Sequence, residues 1–132
     1  MIIVFPKIME NYMFIIGVLG LIGVIMSAMV YGGGLPPFID IASVGFVFGG
    51  SFFTGLAVSK GKLNIETVKI TGDAAVKIGW IGFLIGLILM SGNLKNLLAN
   101  DMIGPAFSIA FLTVLYGYFI NLVCFIYSNS RD

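Results

Sequence analysis

Histidine is absent from this chain and cysteine occurs once, at Cys124. Those two scarcities exclude a His-based or multi-thiolate metal site and any disulfide within the chain. Charge is scarce as well: 10% of the 132 residues are Asp, Glu, Lys or Arg, and the formal net charge is +1. So even a balance leaves no basic footprint for nucleic acid. The middles of the long apolar runs contain no Asp, Glu or Arg. No nucleophile–base pair or metal constellation can be assembled from what remains, so enzymatic chemistry and cofactors are not expected.

What the chain has in abundance is apolar sequence, 59% of it hydrophobic. A bilayer core needs about 20 apolar residues per helix, so four spans take about 80 residues. The remainder supplies short connections and no soluble domain of ordinary size. The prediction is an all-α, polytopic membrane protein. It is a single transmembrane domain over residues 1–132 with spans at about 12–31, 41–58, 74–90 and 103–127. Lys7 before the first run, and Ser27-Ala28-Met29 near its end, imitate a signal peptide. The run is too long for that, and a retained span is expected. Gly32-Gly33-Gly34-Leu35-Pro36-Pro37 breaks the first helix. Asp40 is expected to N-cap span two, the alternative being a cation-attracting role at the outer mouth. Asp73 is expected to cap span three after a polar connection from Ser59. Ser91 to Met102 reads as a short turn, with Pro105 in the first turn of span four, where a missing N–H costs nothing.

Lys and Arg set the orientation. With four spans, both termini and the middle connection share a side, and that side carries Lys7, Lys60, Lys62, Lys69, Lys77 and Arg131. The other side has Lys95 alone. The positive-inside rule then places both termini in the cytoplasm. Lys77, one turn into span three, is expected to snorkel to the headgroups.

Small residues recur at helical spacing. Span four carries Ala106, Ala110, Thr113, Gly117, Asn121 and Cys124 on one face; span three carries Ala75, Gly79, Gly82 and Gly86. Spans one and two add Gly17, Gly20, Gly23 and Ser27, then Gly45, Gly49 and Gly50. Such stripes let helices approach closely. The polar members Thr113 and Asn121 leave a second possibility open, a water or ion path. A threonine in a span also commonly bonds its own preceding carbonyl.

Three segments resemble flagellar stator A-subunits of the MotA/PomA kind. Gly32-Gly33-Gly34 followed by Phe38-Ile39-Asp40-Ile41-Ala42-Ser43 and Gly49-Gly50-Ser51 is similar to their first hairpin. Ile78-Gly79-Trp80-Ile81-Gly82-Phe83-Leu84-Ile85-Gly86-Leu87 resembles their third span. Ile103-Gly104-Pro105-Ala106 through Leu112-Thr113-Val114-Leu115-Tyr116-Gly117 resembles their fourth, and is the most specific of the three. The resemblance implies the MotA/TolQ/ExbB proton-channel family in the bacterial inner membrane. There, five A-subunits form a homopentamer around the helices of a single-span B-type partner, whose intramembrane Asp carries the ion. It further implies an ion pathway or partner-facing set of Thr113, Ala110, Gly117, Asn121, Gly79, Phe83 and Gly86. An imported carboxylate suits a chain whose own spans lack one, because ionisable groups at that depth mark ion relays.

The departures from the resemblance are specific. The large cytoplasmic domain that stators carry between spans two and three has no counterpart in Ser59 to Asp73. Their proline at the start of span three falls on Val76, and their span-three threonine falls on Phe83. Of two threonines in span four, Thr113 remains and the next position is Val114. Sodium needs several oxygen ligands, whereas a proton needs a wet path and one carboxylate, so H⁺ is the expected ion. Phe83 either constricts that path, as hydrophobic gates do, or serves as a large contact for a partner helix. The competing functions are a non-motor ring or channel of the same fold, and an unrelated small four-span transporter or holin. Small multidrug exporters depend on a Glu inside span one; here Glu10 precedes it.

Overall fold

In hydrocarbon every backbone N–H and C=O must be satisfied within the protein, which leaves helices as the natural state of these apolar runs. The computed structural model describes residues 7–130; Arg131 lies outside them. Four of its helices are long and apolar enough to cross a membrane. They are α1 (Lys7–Tyr31), α2 (Ile41–Ser59), α3 (Ile65–Gly92) and α5 (Ile103–Asn129), with a short α4 (Leu94–Ala99) between the last two. Contacts divide the chain into two units, one ending at Phe38 and one beginning at Ile39.

The first unit is α1 and the turn that ends it. Glu10 sits in the first turn, where a carboxylate favours the positive end of the helix dipole. At the other end Gly33 and Gly34 adopt φ of +136° and +105°, open to glycine at no steric cost. Their amides turn back to Val30 and Met29 carbonyls at 3.2 Å each, satisfying the final turn. Pro36–Phe38 then forms a single 3₁₀ turn.

The second unit is built on α3. Its α2 partner buries every fourth residue, Ser43, Val47, Ser51 and Gly55. Against α2, a Cβ added at Gly50 would lie 2.8 Å from the Ile78 side chain, and one at Gly55 would overlap the Thr71 hydroxyl. The α3–α5 contact is the most extensive and is made largely of backbone. A Cβ at Gly79 would stand 2.6 Å from the Thr113 carbonyl oxygen, and one at Gly117 would collide with the Ala75 carbonyl. Gly86 faces Ala110 in the same antiparallel register. Burying such small residues allows close approach, so dispersion between two backbones holds the pair where a hydrophobic drive is absent.

Two features of the connections depart from the sequence expectation. Helix α3 starts at Ile65, and Asp73 lies inside it, so Asp73 is not its cap. Asn64 is the cap: its side-chain oxygen accepts the Thr67 N–H at 2.9 Å. The Thr67 hydroxyl adds a bond to the Lys62 carbonyl at 2.6 Å. A competent cap upstream, followed by residues without Gly or Pro until Gly72, nucleates the helix two turns earlier than hydropathy suggests. The segment 91–102 is likewise not a bare turn. Its Leu94, Leu97 and Leu98 share a face, and Leu94–Ala99 coils into α4.

These contacts separate two classes of glycine. Gly117→Ala should cost about 1–3 kcal/mol, the usual range for overpacking, because a backbone carbonyl cannot yield. Gly20→Ala meets nothing within 4 Å and should leave stability unchanged or slightly raised. Thermal loss of helical circular dichroism in detergent checks both.

Candidate functional site

The residues singled out in spans three and four converge on the α3–α5 seam. Gly79, Ala110, Thr113 and Gly117 are buried in it, and Gly86 is half-buried beside Ala110. The Thr113 hydroxyl lies 2.7 Å from the Ala110 carbonyl in its own helix and 3.0 Å from the Gly79 carbonyl across the seam. Its single proton is shared between the two, so the side chain both satisfies itself locally and ties α5 to α3. The stripe therefore packs helix against helix within the chain.

Phe83 and Asn121 occupy the flanks of the seam and are half-exposed. Phe83 lies against Phe111 with ring centroids 4.9 Å apart, and Trp80 meets its edge at 5.7 Å and 88°. Phe107 extends the row, 6.3 Å from Phe111. The row takes two rings from α3 and two from α5 and closes this flank with aromatic surface, at separations where such rings attract. Where a hydroxyl would present an oxygen ligand, Phe83 presents a ring.

Toward the ends of α3 and α5 that lie near the α2–α3 connector, the seam becomes polar. Asn121 Nδ2 donates to Asp73 Oδ1 at 3.4 Å. Lys69, Asp73, Asn121, Cys124 and Ser128 line an open cleft of about 290 Å³ there. Asp73 is exposed and lies about two turns into α3, close to where a helix of this length leaves the hydrocarbon. No group of three His, Cys, Asp or Glu able to hold a metal exists among the described residues.

Asp40 stands apart at the start of α2. Its Oδ2 accepts the Ser43 N–H at 2.9 Å and the Ser43 hydroxyl at 2.5 Å, the geometry of an N-cap. The Asp40 N–H in turn donates to the Tyr116 hydroxyl at 3.1 Å, linking the start of α2 to α5.

Sequence reasoning did not foresee the Asp73–Asn121 pair, the Asp40–Tyr116 bond or the Phe83–Phe111 contact. The first was recoverable. Carrying the α3 small-residue stripe back one turn from Ala75, which faces Gly117, reaches Gly72, which lies against Asn121 and Cys124 and brings its neighbour Asp73 within reach of the Asn121 amide. The other two depend on how far an aromatic side chain reaches across a helix gap, which spacing along one helix does not encode.

No family model matches the chain, and no solved structure matches it to significance. Curated proteins match over part of their length. Motility protein A of Cereibacter sphaeroides is 43% identical over 58 residues, 44% of this chain and 22% of that protein. Chemotaxis protein PomA of Vibrio alginolyticus is 43% identical over 54 residues, 41% of this chain and 20% of that protein. An uncharacterized protein, YtxD of Bacillus subtilis, is 52% identical over 46 residues, 35% of this chain and 16% of that protein. The matched stretches thus span at most 22% of the length of these relatives. Together with the four apolar helices they mark the chain as a multi-pass membrane protein related to motility proteins.

The hydroxyl bridge can be isolated. Thr113→Val keeps the shape and removes the bond to Gly79, and should destabilise the protein by about 1 kcal/mol. Thr113→Ser should retain most of that stability, and the pair of melting midpoints measures the difference.

Proposed function

We propose that the chain is an A-type, stator-like subunit of an ion-driven membrane motor. The observation that carries this is the 43% identity, over somewhat less than half of the chain, to two proteins named for motility and chemotaxis. The distribution of charge supports it. In α3 no carboxylate lies beyond Asp73, and α5 has none. A chain of this kind can surround an ion path and cannot by itself carry a proton along one. The carboxylate comes from a single-span B-type partner with an intramembrane Asp, one or two of whose helices sit inside a pentamer of this subunit. The assembly lies in the bacterial inner membrane with both termini cytoplasmic, the side that the lysine bias favours.

In this assembly the site residues divide by task. Gly79, Gly86, Ala110, Thr113 and Gly117 hold α3 against α5 and so fix the wall. Phe83 and Asn121, on the flanks, meet the partner or the ion path. H⁺ is the transported ion, because Phe83 and Val114 offer no oxygen to a dehydrated Na⁺. The connector between α2 and α3 runs from Lys60 to Asn64 and supplies no surface for a large rotor, so work is delivered on the other side of the membrane, through the partner.

One observation favours a second reading, a ring of the same fold that does not conduct: the tilted Phe83–Phe111 pair occupies the flank where a path would run. Proton flux into vesicles holding the co-purified complex separates the two. A motor gives flux that disappears when the partner's Asp becomes Asn, and Phe83→Thr raises it. A passive ring gives none with either Phe83 or Thr. Native mass of the complex is the companion measurement: five copies are expected. Four, six or seven copies, or no acid-bearing single-span companion, would overturn the assignment.

A further inference from the structure

The groove between α2 and α3 is distinct from the α3–α5 seam. It is lined by Thr54 and Val58 of α2 and, on α3, by Ile70, Ala74, Ile78 and Ile81, with Asp73 and Lys77 at its side, and it holds about 410 Å³, a volume within the range of ligand clefts. Its floor is aliphatic, and the Thr54 hydroxyl is turned inward to the Gly50 carbonyl at 2.7 Å. Such a floor, between two helices apolar enough to cross a membrane, suits a hydrocarbon chain.

Charge decides what is attached to that chain. Lys77 is exposed, on a helix that crosses the membrane. Its side chain leans toward the start of α3, as helical side chains do, which carries the ammonium toward the connector. Lys60 caps α2 in the left-handed conformation, φ 55°, and reverses the chain there. Lys62 follows it, and both are exposed. Leu63, next in the chain, is 90% exposed, an apolar side chain among lysines, the pattern of a segment lying in the interface. From Ser59 to Gly92 there are four lysines, at 60, 62, 69 and 77, and two carboxylates, Glu66 and Asp73. Asp73 is the carboxylate facing Lys77 within the groove, and its Oδ1 also receives the Asn121 amide. The balance at the connector end of the groove is cationic.

We propose that this groove binds an anionic phospholipid, one acyl chain running inward along Ile78 and Ile81, and its phosphate in the stretch over Val58 and Ile70, between Lys77 and the Lys60–Lys62 connector. The site is independent of the motor assignment, since the residues meeting the lipid lie outside the α3–α5 seam, which the groove borders only at Asp73.

The chain's one tryptophan, Trp80, packs on Phe83 outside the groove, so the reporter is Ile81→Trp, placed in the groove on a Trp80→Phe background. Its fluorescence reports the lipid directly. The full chain is reconstituted in phosphatidylcholine vesicles containing some phosphatidylglycerol, with bromine on the acyl chains of one lipid or the other. Brominated phosphatidylglycerol should quench the Ile81→Trp reporter more strongly than brominated phosphatidylcholine at equal mole fraction. Lys77→Gln should lower that preference roughly fivefold, as should loss of either connector lysine, while Lys77→Arg keeps it. Equal quenching by the two lipids overturns the proposal, as does a preference that Lys77→Gln leaves intact. Absence of quenching by either lipid also overturns it, since protein then covers the groove. Unchanged helical circular dichroism confirms that each variant is folded.

Discussion

The contact on which the second unit depends is the near-touching of two backbones, α3 and α5. It is built from what residues lack. At Gly79 and Gly117 even one methyl group would enter a carbonyl of the facing helix. In a bilayer no hydrophobic gain comes from hiding leucines from lipid, so helix pairs are held by dispersion at short range and by polar bonds where available. Thr113 supplies such a bond at the centre of the seam. Everything else in the unit takes its position from that pair: α2 lies on α3 through Gly50 and Gly55, and the Asp40 amide reaches Tyr116 of α5.

Polar chemistry is pushed to the margins by the same constraint. A seam closed by glycine and alanine leaves little space for water, and the buried Ser51 and Thr113 hydroxyls donate to carbonyls nearby. The charged groups collect where α3 emerges, around Asp73, Lys69 and Lys77. Such a division suits a subunit that forms a wall. Its interior is inert and tightly fitted, and its flanks and ends carry the groups that other molecules meet. Under the proposed function Phe83 is the residue to change first, because it sets aromatic surface where a hydroxyl would offer an oxygen.

The existence and type of the long helices were legible because membrane helices announce themselves by length and hydropathy alone. The end of α1 was legible from Gly32-Gly33-Gly34, since consecutive glycines with positive φ stop a helix wherever they occur. The start of α3 was misjudged. Asp73 has the chemistry of a cap, and hydropathy rises just after it, but Asn64 and Thr67 close the helix end upstream and a capped helix continues through polar sequence. Hydropathy marks where a helix enters lipid, and capping marks where it begins; the two differ by about two turns here.

Sequence by itself determined four apolar helices, their breaks, and a small-residue face on α3 and on α5, because each of those properties belongs to a single segment. It also determined that no acid lies deep in those two helices. Only the tertiary structure decided what the small faces meet. A stripe of Gly, Ala and Thr can line water or receive another helix, and both need the same residues at the same spacing. Which of the two occurs depends on the register between α3 and α5, a relation between segments far apart in the chain, and the register that forms sets glycine against carbonyl and leaves Phe83 and Asn121 at the edge.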